Sequence, residues 1–285
     1  MKLNLRRGTL EDASVLGPLN YEAFKTIADE HNFPPDFPSI EHAIATVTSL
    51  LSNPGVYSVV AESDGRIMGS NFMDERNPIA GIGPIGVDPT SQNHGVGRAL
   101  MLDVLERARK QNFAGVRLVQ AAYHNRSLSL YTKLGFDTRE PLSVMQGKPL
   151  NLRMPGYDVR RATESDLDAC NELCHRVHGH HRGGELIDMT RAGMATVVER
   201  LGRITGYATA LAFFGQAVGE SNDDLRALIG AAPALLGPGI LVPTRNSEMF
   251  RWCLANGLRL VQQTTLMTIG LYNEPAGAYL PSIIY

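Results

Sequence analysis

The sixteen residues from Ile85 to Leu100 constrain the fold more than any other stretch. An apolar run, Ile85-Gly86-Val87, is ended by Asp88-Pro89. A polar loop with Gly95 and Gly97 follows, and then an amphipathic helix with Leu100, Met101, Val104, Leu105 and Ala108 on one face. Strand, glycine loop and helix start together make an anion cradle. The glycines let the backbone approach a ligand, and the first N–H groups of the helix have no partner within it. Phosphate is the guest such a unit fits.

The chain has 285 residues, 44% hydrophobic and 20% charged, which is ordinary for a globular protein and long enough for two domains. Net charge is −2, and both halves are close to balanced: 15 basic against 16 acidic residues up to position 150, and 12 against 13 beyond it. Neither half offers the basic surface that nucleic acid or an anionic membrane requires. Met1 to Arg7 lacks the apolar core of a signal peptide, and no stretch approaches about 18 apolar residues, so a cytoplasmic chain is expected. Cys170, Cys174 and Cys253 are odd in number and predict reduced thiols.

Leu3 to Arg7 alternates as a strand. Thr9 caps a helix through Leu16 and Phe24, and Ser39 caps a second helix after the proline-rich Asn32 to Pro38. Two strands, Val56–Glu62 and Arg66–Phe72, are joined by the hairpin turn Ser63-Asp64-Gly65. Gly115–Ala121 is another strand, and Asn125–Leu134 a helix closed by Gly135. Residues 141–157, with three prolines and little periodicity, are expected to hold the domain boundary.

Beyond it the chain repeats. Arg6-Arg7-Gly8-Thr9-Leu10-Glu11-Asp12 is echoed by Arg160-Arg161-Ala162-Thr163-Glu164-Ser165-Asp166, and Asn125 to Phe136 by Asn246 to Leu258. The counterpart of the opening unit is Gln216 to Leu225, where Glu220, Ser221, Asn222, Asp223 and Asp224 replace the glycine loop. Carboxylates there would repel a phosphate.

Gln92-Asn93-His94-Gly95-Val96-Gly97 fits the Q/R-x-x-G-x-G/A signature of the GNAT superfamily of acyl-CoA-dependent N-acyltransferases. Asn125 to Phe136 resembles its second signature, N-x-x-[AS]-x-x-x-Y-x-K-x-G-F. A dinucleotide-binding reading would need a third glycine and an acidic residue about 20 positions on, whereas Ala99-Leu100 and Arg117-Leu118-Val119 stand there. The resemblance implies a mixed α/β (α+β) fold of two GNAT-like domains, each a twisted, mostly antiparallel sheet with splayed central strands flanked by helices. Residues 1–150 would be the catalytic domain and 151–285 a degenerate one without a pyrophosphate loop.

It further implies acetyl transfer from acetyl-CoA directly to a primary amine, on a small molecule or a peptide N-terminus. Gln92, Asn93, Gly95, Val96, Gly97 and Arg98 would hold the pyrophosphate, while Ile85, Gly86 and Val87 would bind the pantetheine arm through their backbone and Asn125 would bond it. Tyr131 matches the family's general acid; the other reading is a core tyrosine on a helix face. Asp74 and Glu75 are the candidate bases, Glu75 preferred, with His94 and His124 bordering the motifs. Tyr21, Phe24, Phe33 and Phe37, with Glu30, His31 and Asp36, would form an aromatic and acidic wall for the amine, or simply pin a proline-rich loop.

No metal is expected. Cys170, Cys174, His175, His178, His180 and His181 lie along one helix and its end, where the histidines would cap the C-terminus or line the second cleft. The apolar tail from Leu271 is expected to pack across the domain interface. A monomer and a homodimer remain open, and the alternative function is a non-catalytic acyl-CoA-binding sensor.

Overall fold

A computed structural model describes residues 3–284. The first half contains β1 (Asn4–Arg7), α1 (Ala13–Glu30), α2 (Ile40–Ser52), β2 (Val56–Ser63), β3 (Arg66–Asp74), β4 (Ile79–Ile82), β5 (Gly86–Val87), α3 (Val96–Lys110), β6 (Gly115–Ala121), α4 (Asn125–Lys133) and β7 (Asp137–Gln146). The second contains β8 (Asp158–Arg161), α5 (Leu167–His178), α6 (Gly183–Arg191), β9 (Thr196–Arg200), β10 (Arg203–Ala208), β11 (Ala217–Gly219), α7 (Asn222–Ala231), β12 (Ile240–Pro243), α8 (Ser247–Ala255), β13 (Arg259–Gly270) and β14 (Ala278–Leu280). Among the described residues no helix is long and apolar enough to cross a membrane.

Local chemistry starts and stops these elements where the residue types demand. Thr9 and Asp12 form a capping box before α1, and Ser39 accepts from the His42 amide at the start of α2. The β2–β3 turn uses Asp64 and Gly65 at φ of 52° and 77°, the left-handed pair that a tight hairpin requires. The repeat extends to individual bonds. Arg6 grips Asp12 through two 2.8 Å hydrogen bonds and also reaches Glu62; Arg160 grips Asp166 the same way and reaches Glu199. The helix caps also correspond: His124 and Asn246 each accept from the amide three residues on. Asn246 is therefore the counterpart of His124 rather than of Asn125.

Ladders are antiparallel except β4 on β6. One sheet runs β1-β2-β3-β4-β6-β13-β7-β12 with β5 attached to β3, and the other runs β14-β11-β10-β9-β8. The two halves exchange strands. β13, from the second half, lies between β6 and β7 of the first, pairing Leu266 with Val119 and Met267 with Leu118. β7 in turn lies between β13 and β12 of the second half. Met267 joins Leu100, Met101, Val104 and Leu118 in the core under α3, while Leu266 on the opposite face packs with Phe213 and Leu241. Between β7 and β8 the chain runs through 147–157 without a helix or strand.

In the first half two strands escape the sequence pattern. β7 runs through Pro141, whose carbonyl still accepts from the Thr244 amide at 2.8 Å, so the proline removes only a donor. β4, four residues long, is too short to read from its periodicity.

In the second half the start of α7 is filled by its own side chain. The Asp224 carboxylate, fully buried, accepts from the Ser221 amide and hydroxyl, each at 2.9 Å, and from Thr205 Oγ1. β14 pairs along β11, and beyond it the Ile283 amide donates to the Phe213 carbonyl at 2.9 Å. The three cysteines are buried free thiols. His178 and His180 are buried too. Burial holds both below the usual imidazole range, His180 at about 4, so they are neutral and do not act as the expected helix-end cations. No metal-holding group of three His, Cys, Asp or Glu side chains occurs among the described residues.

Candidate functional site

The site is a cavity of about 730 Å³ that begins where two strands part. β4 pairs with β6 from Ile79↔Gly115 to Gly81↔Arg117, whereas β5 pairs only with β3, Gly69↔Val87 and Ser70↔Gly86. Between β4 and β5 the register on β3 shifts by one residue, from Met73↔Ile82 to Ser70↔Gly86. One extra residue makes a bulge, and a bulge bends its strand. From Leu118 onward β6 has β13 on one side and the cavity on the other. The wedge so formed is bordered by Ile82 to Ile85, Val87 and Leu118 to Ala121.

The loop motif closes one end. Gly95 precedes α3 at φ 84°, with nothing within 4 Å of where a Cβ would stand, and no side chain caps the helix. Helix geometry leaves the amides of Val96, Gly97 and Arg98 without intrahelical partners; the first bond is Ala99 N–H to the Gly95 carbonyl at 3.0 Å. Gln92 holds the loop to the strand by donating to the Val87 carbonyl at 3.2 Å. Arg126 on α4 donates to Gln92 Oε1 and, at 3.4 Å, to Asn93 Oδ1. The two sequence motifs thus meet across this arginine, which adds a cation beside the free amides. These features fit a pyrophosphate: donors converge at a helix start, no carboxylate lines that end, and the backbone can be approached closely.

Ile85, Val87, Gln92, Asn93, Gly95, Gly97, Arg98 and Tyr131 all line the cavity. Gly86 and Val96 flank it, buried. Gly86 packs on α1, where a Cβ would stand 2.4 Å from Asn20 Oδ1. Asn125 is exposed and outside the lining, and His124 rather than Asn125 caps α4. Burial holds the His124 imidazole below its usual range. Tyr131 is buried against Phe136 as a core tyrosine, also faces the cavity, and burial pushes its phenol well above the usual value.

Of the proposed aromatic wall, Phe24 and Phe37 line the cavity as an edge-to-face pair 5.5 Å apart. Tyr21 does not line it. Phe33 stands behind, stacked at 4.4 Å on Tyr123, which does line it. Glu75 is held by Arg107 in two bonds of 2.7 and 2.9 Å and does not line the cavity; Asp74 is paired with Arg76. His94 is exposed on the loop.

The carboxylate that does face the cavity is Asp36. Gln262 Nε2 donates to it at 3.1 Å, and burial pushes its carboxyl up to about 6. The far wall comes from the second half: Phe213, Phe214, Gln262, Thr264, Ile283 and Ile284. No motif marks these residues. Only the apolar ending of the tail signals that it is packed against something.

Residues 21–136 match the family model described as acetyltransferase (GNAT) family. A mycothiol acetyltransferase of Thermomonospora curvata is 36% identical over 91 residues, 32% of this chain and 30% of that protein. One of Nocardia farcinica is 38% identical over 63 residues, 22% of this chain and 21% of that protein. The chain therefore aligns with less than a third of the length of these curated relatives. Among solved structures, a putative acetyltransferase from Pyrococcus horikoshii superposes with TM-score 0.75 at 18% identity, covering 99% of this chain and 92% of that one. A tandem GNAT protein from the clavulanic acid biosynthesis pathway gives 0.57 at 15% identity, covering 94% and 98%. These two likenesses extend the shared fold over both halves.

Proposed function

We propose that the first half, whose residues 21–136 match the acetyltransferase (GNAT) family model, is a GNAT acetyltransferase domain, and that the protein transfers the acetyl group of acetyl-CoA directly to a primary amine of a small molecule or peptide. The observation that carries this reading is the convergence on one cavity of an open helix start, a parted strand edge and a buried phenol. Acetyl-CoA would supply an activated thioester. Gly95, Val96, Gly97 and Arg98 would bind its pyrophosphate through backbone amides, with Arg98 and Arg126 adding charge. The edge of Ile85 to Val87 would take the pantetheine arm as an added strand and present an amide to the thioester carbonyl.

Tyr131, kept protonated by its burial, would donate its proton to the departing thiolate. Asp36 is proposed as the base in place of Glu75, which Arg107 already holds. Its carboxyl, raised to about 6, is ionised at neutral pH yet basic enough to take a proton from the incoming ammonium.

The test is thiol release from acetyl-CoA across a panel of amines, with wild type, Tyr131→Phe and Asp36→Asn. Each variant is expected to lower kcat about 10²- to 10⁴-fold, with acetyl-CoA affinity retained. Acetyl-CoA binding without thiol release on any amine identifies a sensor instead.

A further inference from the structure

The two ends of the cavity differ in charge. Its cationic lining groups, Arg98, Arg126 and Lys133, belong to the loop-motif end, on α3 or α4, and the His124 imidazole that caps α4 is held below its usual range by burial. The opposite end is walled by Phe24 and Phe37 from the first half and by Phe213, Phe214, Ile283 and Ile284 from the second. Among the described lining residues no cationic side chain stands at this end.

Besides the Tyr123 hydroxyl, three polar groups interrupt the apolar wall. One is Asp36. The others are Gln262 Oε1 and Thr264 Oγ1, on side chains only 3% and 1% exposed, and neither atom has a hydrogen-bond partner. Gln262 commits its Nε2 to Asp36, so Oε1 is the end left over. Being two residues apart on β13, Gln262 and Thr264 stand on the same face. Buried polar atoms in a folded protein are almost always hydrogen-bonded, so two adjacent unpartnered ones in a cavity wall mark a place reserved for a ligand's polar group. A ligand carboxylate there would lie close to Asp36 with no cation to offset it, in surroundings where like charges repel strongly. The aromatic and aliphatic wall favours an apolar body.

Resting on the acetyltransferase reading above, we propose that the acceptor is a primary amine on an apolar body, aromatic or branched aliphatic. It carries a neutral hydrogen-bonding group such as a hydroxyl close to the amine, and no carboxylate. Asp36 receives the ammonium, Gln262 Oε1 accepts from the ligand hydroxyl, and the Thr264 hydroxyl donates to that hydroxyl's oxygen.

Phenylalaninol, phenethylamine and phenylalanine separate these features. With acetyl-CoA, read by thiol release and by the mass of the N-acetyl product, phenylalaninol is expected to exceed phenylalanine in kcat/KM by at least about tenfold, and phenethylamine by a smaller factor. Gln262→Leu and Thr264→Val should each narrow the phenylalaninol-to-phenethylamine ratio, and Ile284→Arg should move the ratio toward phenylalanine. Thermal unfolding identifies any variant that is simply misfolded, and the wild-type ratios stand without the variants. Phenylalanine turned over as well as phenylalaninol overturns the proposed class while leaving acetyl transfer intact. If no amine is turned over although calorimetry shows acetyl-CoA bound, the acetyltransferase reading fails. Titrating phenylalaninol and phenylalanine into the CoA-loaded protein then decides the class, and equal binding refutes it.

Discussion

Replacing Asp36 by asparagine should disable the enzyme and stabilise it at the same time. Burial raises this carboxyl from an ordinary value of 3.8 to about 6, a gap worth about 3 kcal/mol between its two protonation states. A carboxyl raised in the folded state is easier to keep protonated there than in the unfolded chain. The folded protein is therefore penalised as pH climbs from about 4 to about 6, and carries the full penalty above that.

The carboxamide introduced by Asp36→Asn has the shape of the acid, can still accept from Gln262 Nε2, and never ionises. At pH 8 the variant should thus gain up to about 3 kcal/mol, which for a chain of this size raises Tm by up to about 5 °C; the gain should shrink toward zero near pH 4. Thermal unfolding followed by circular dichroism at pH 4.5, 6 and 8 reads this directly. Wild-type kcat/KM should rise through about pH 6 as the base ionises, whereas the variant's residual rate should climb only with the free amine at higher pH. A stability change of equal size at all three pH values would refute the burial argument. An unaltered rate would remove Asp36 from the chemistry.

Calorimetry should find one CoA per chain, since Asp224 fills the start of α7; a stoichiometry of two would overturn the account of the second half. Gly95→Val forces a branched residue to φ 84° in the loop and should weaken CoA binding tenfold or more, with the fold retained by circular dichroism. Truncation after Asn273 removes β14, Ile283 and Ile284, so it should lower both Tm and turnover; unchanged values would show that the tail is dispensable. A fragment of residues 1–150 lacks β13 and leaves β6 and β7 without the strand between them, so it should be insoluble or molten; a sharply folded fragment would show that the exchange is not required.

The motifs are legible because each depends on neighbours in the chain. Gly95 and Gly97 permit a backbone that other residues resist, Thr9 and Thr163 cap helices three residues away, and Asp64-Gly65 closes a hairpin within itself. The repeat can be read for the same reason, although its register near Asn246 is off by one because a histidine and an asparagine perform the same capping task. The proposed base cannot be read this way. Glu75 and Asp36 are both carboxylates in variable segments, and only the folded chain reveals that Arg107 holds one while Gln262, 226 residues away, positions the other.

By itself, then, the sequence determined most elements of the first half, the open helix start of α3, the self-capped start of α7 and the phenol on α4. Tertiary structure decided that β13 lies between β6 and β7, that Ile283 and Ile284 of the tail line the cavity, and therefore that the second half walls the end opposite the glycine loop. Alternation along β13 marks two faces for burial, but period two says nothing about which strand lies beside it. That choice belongs to long-range packing, and it puts Gln262 and Thr264 in the wall of the site.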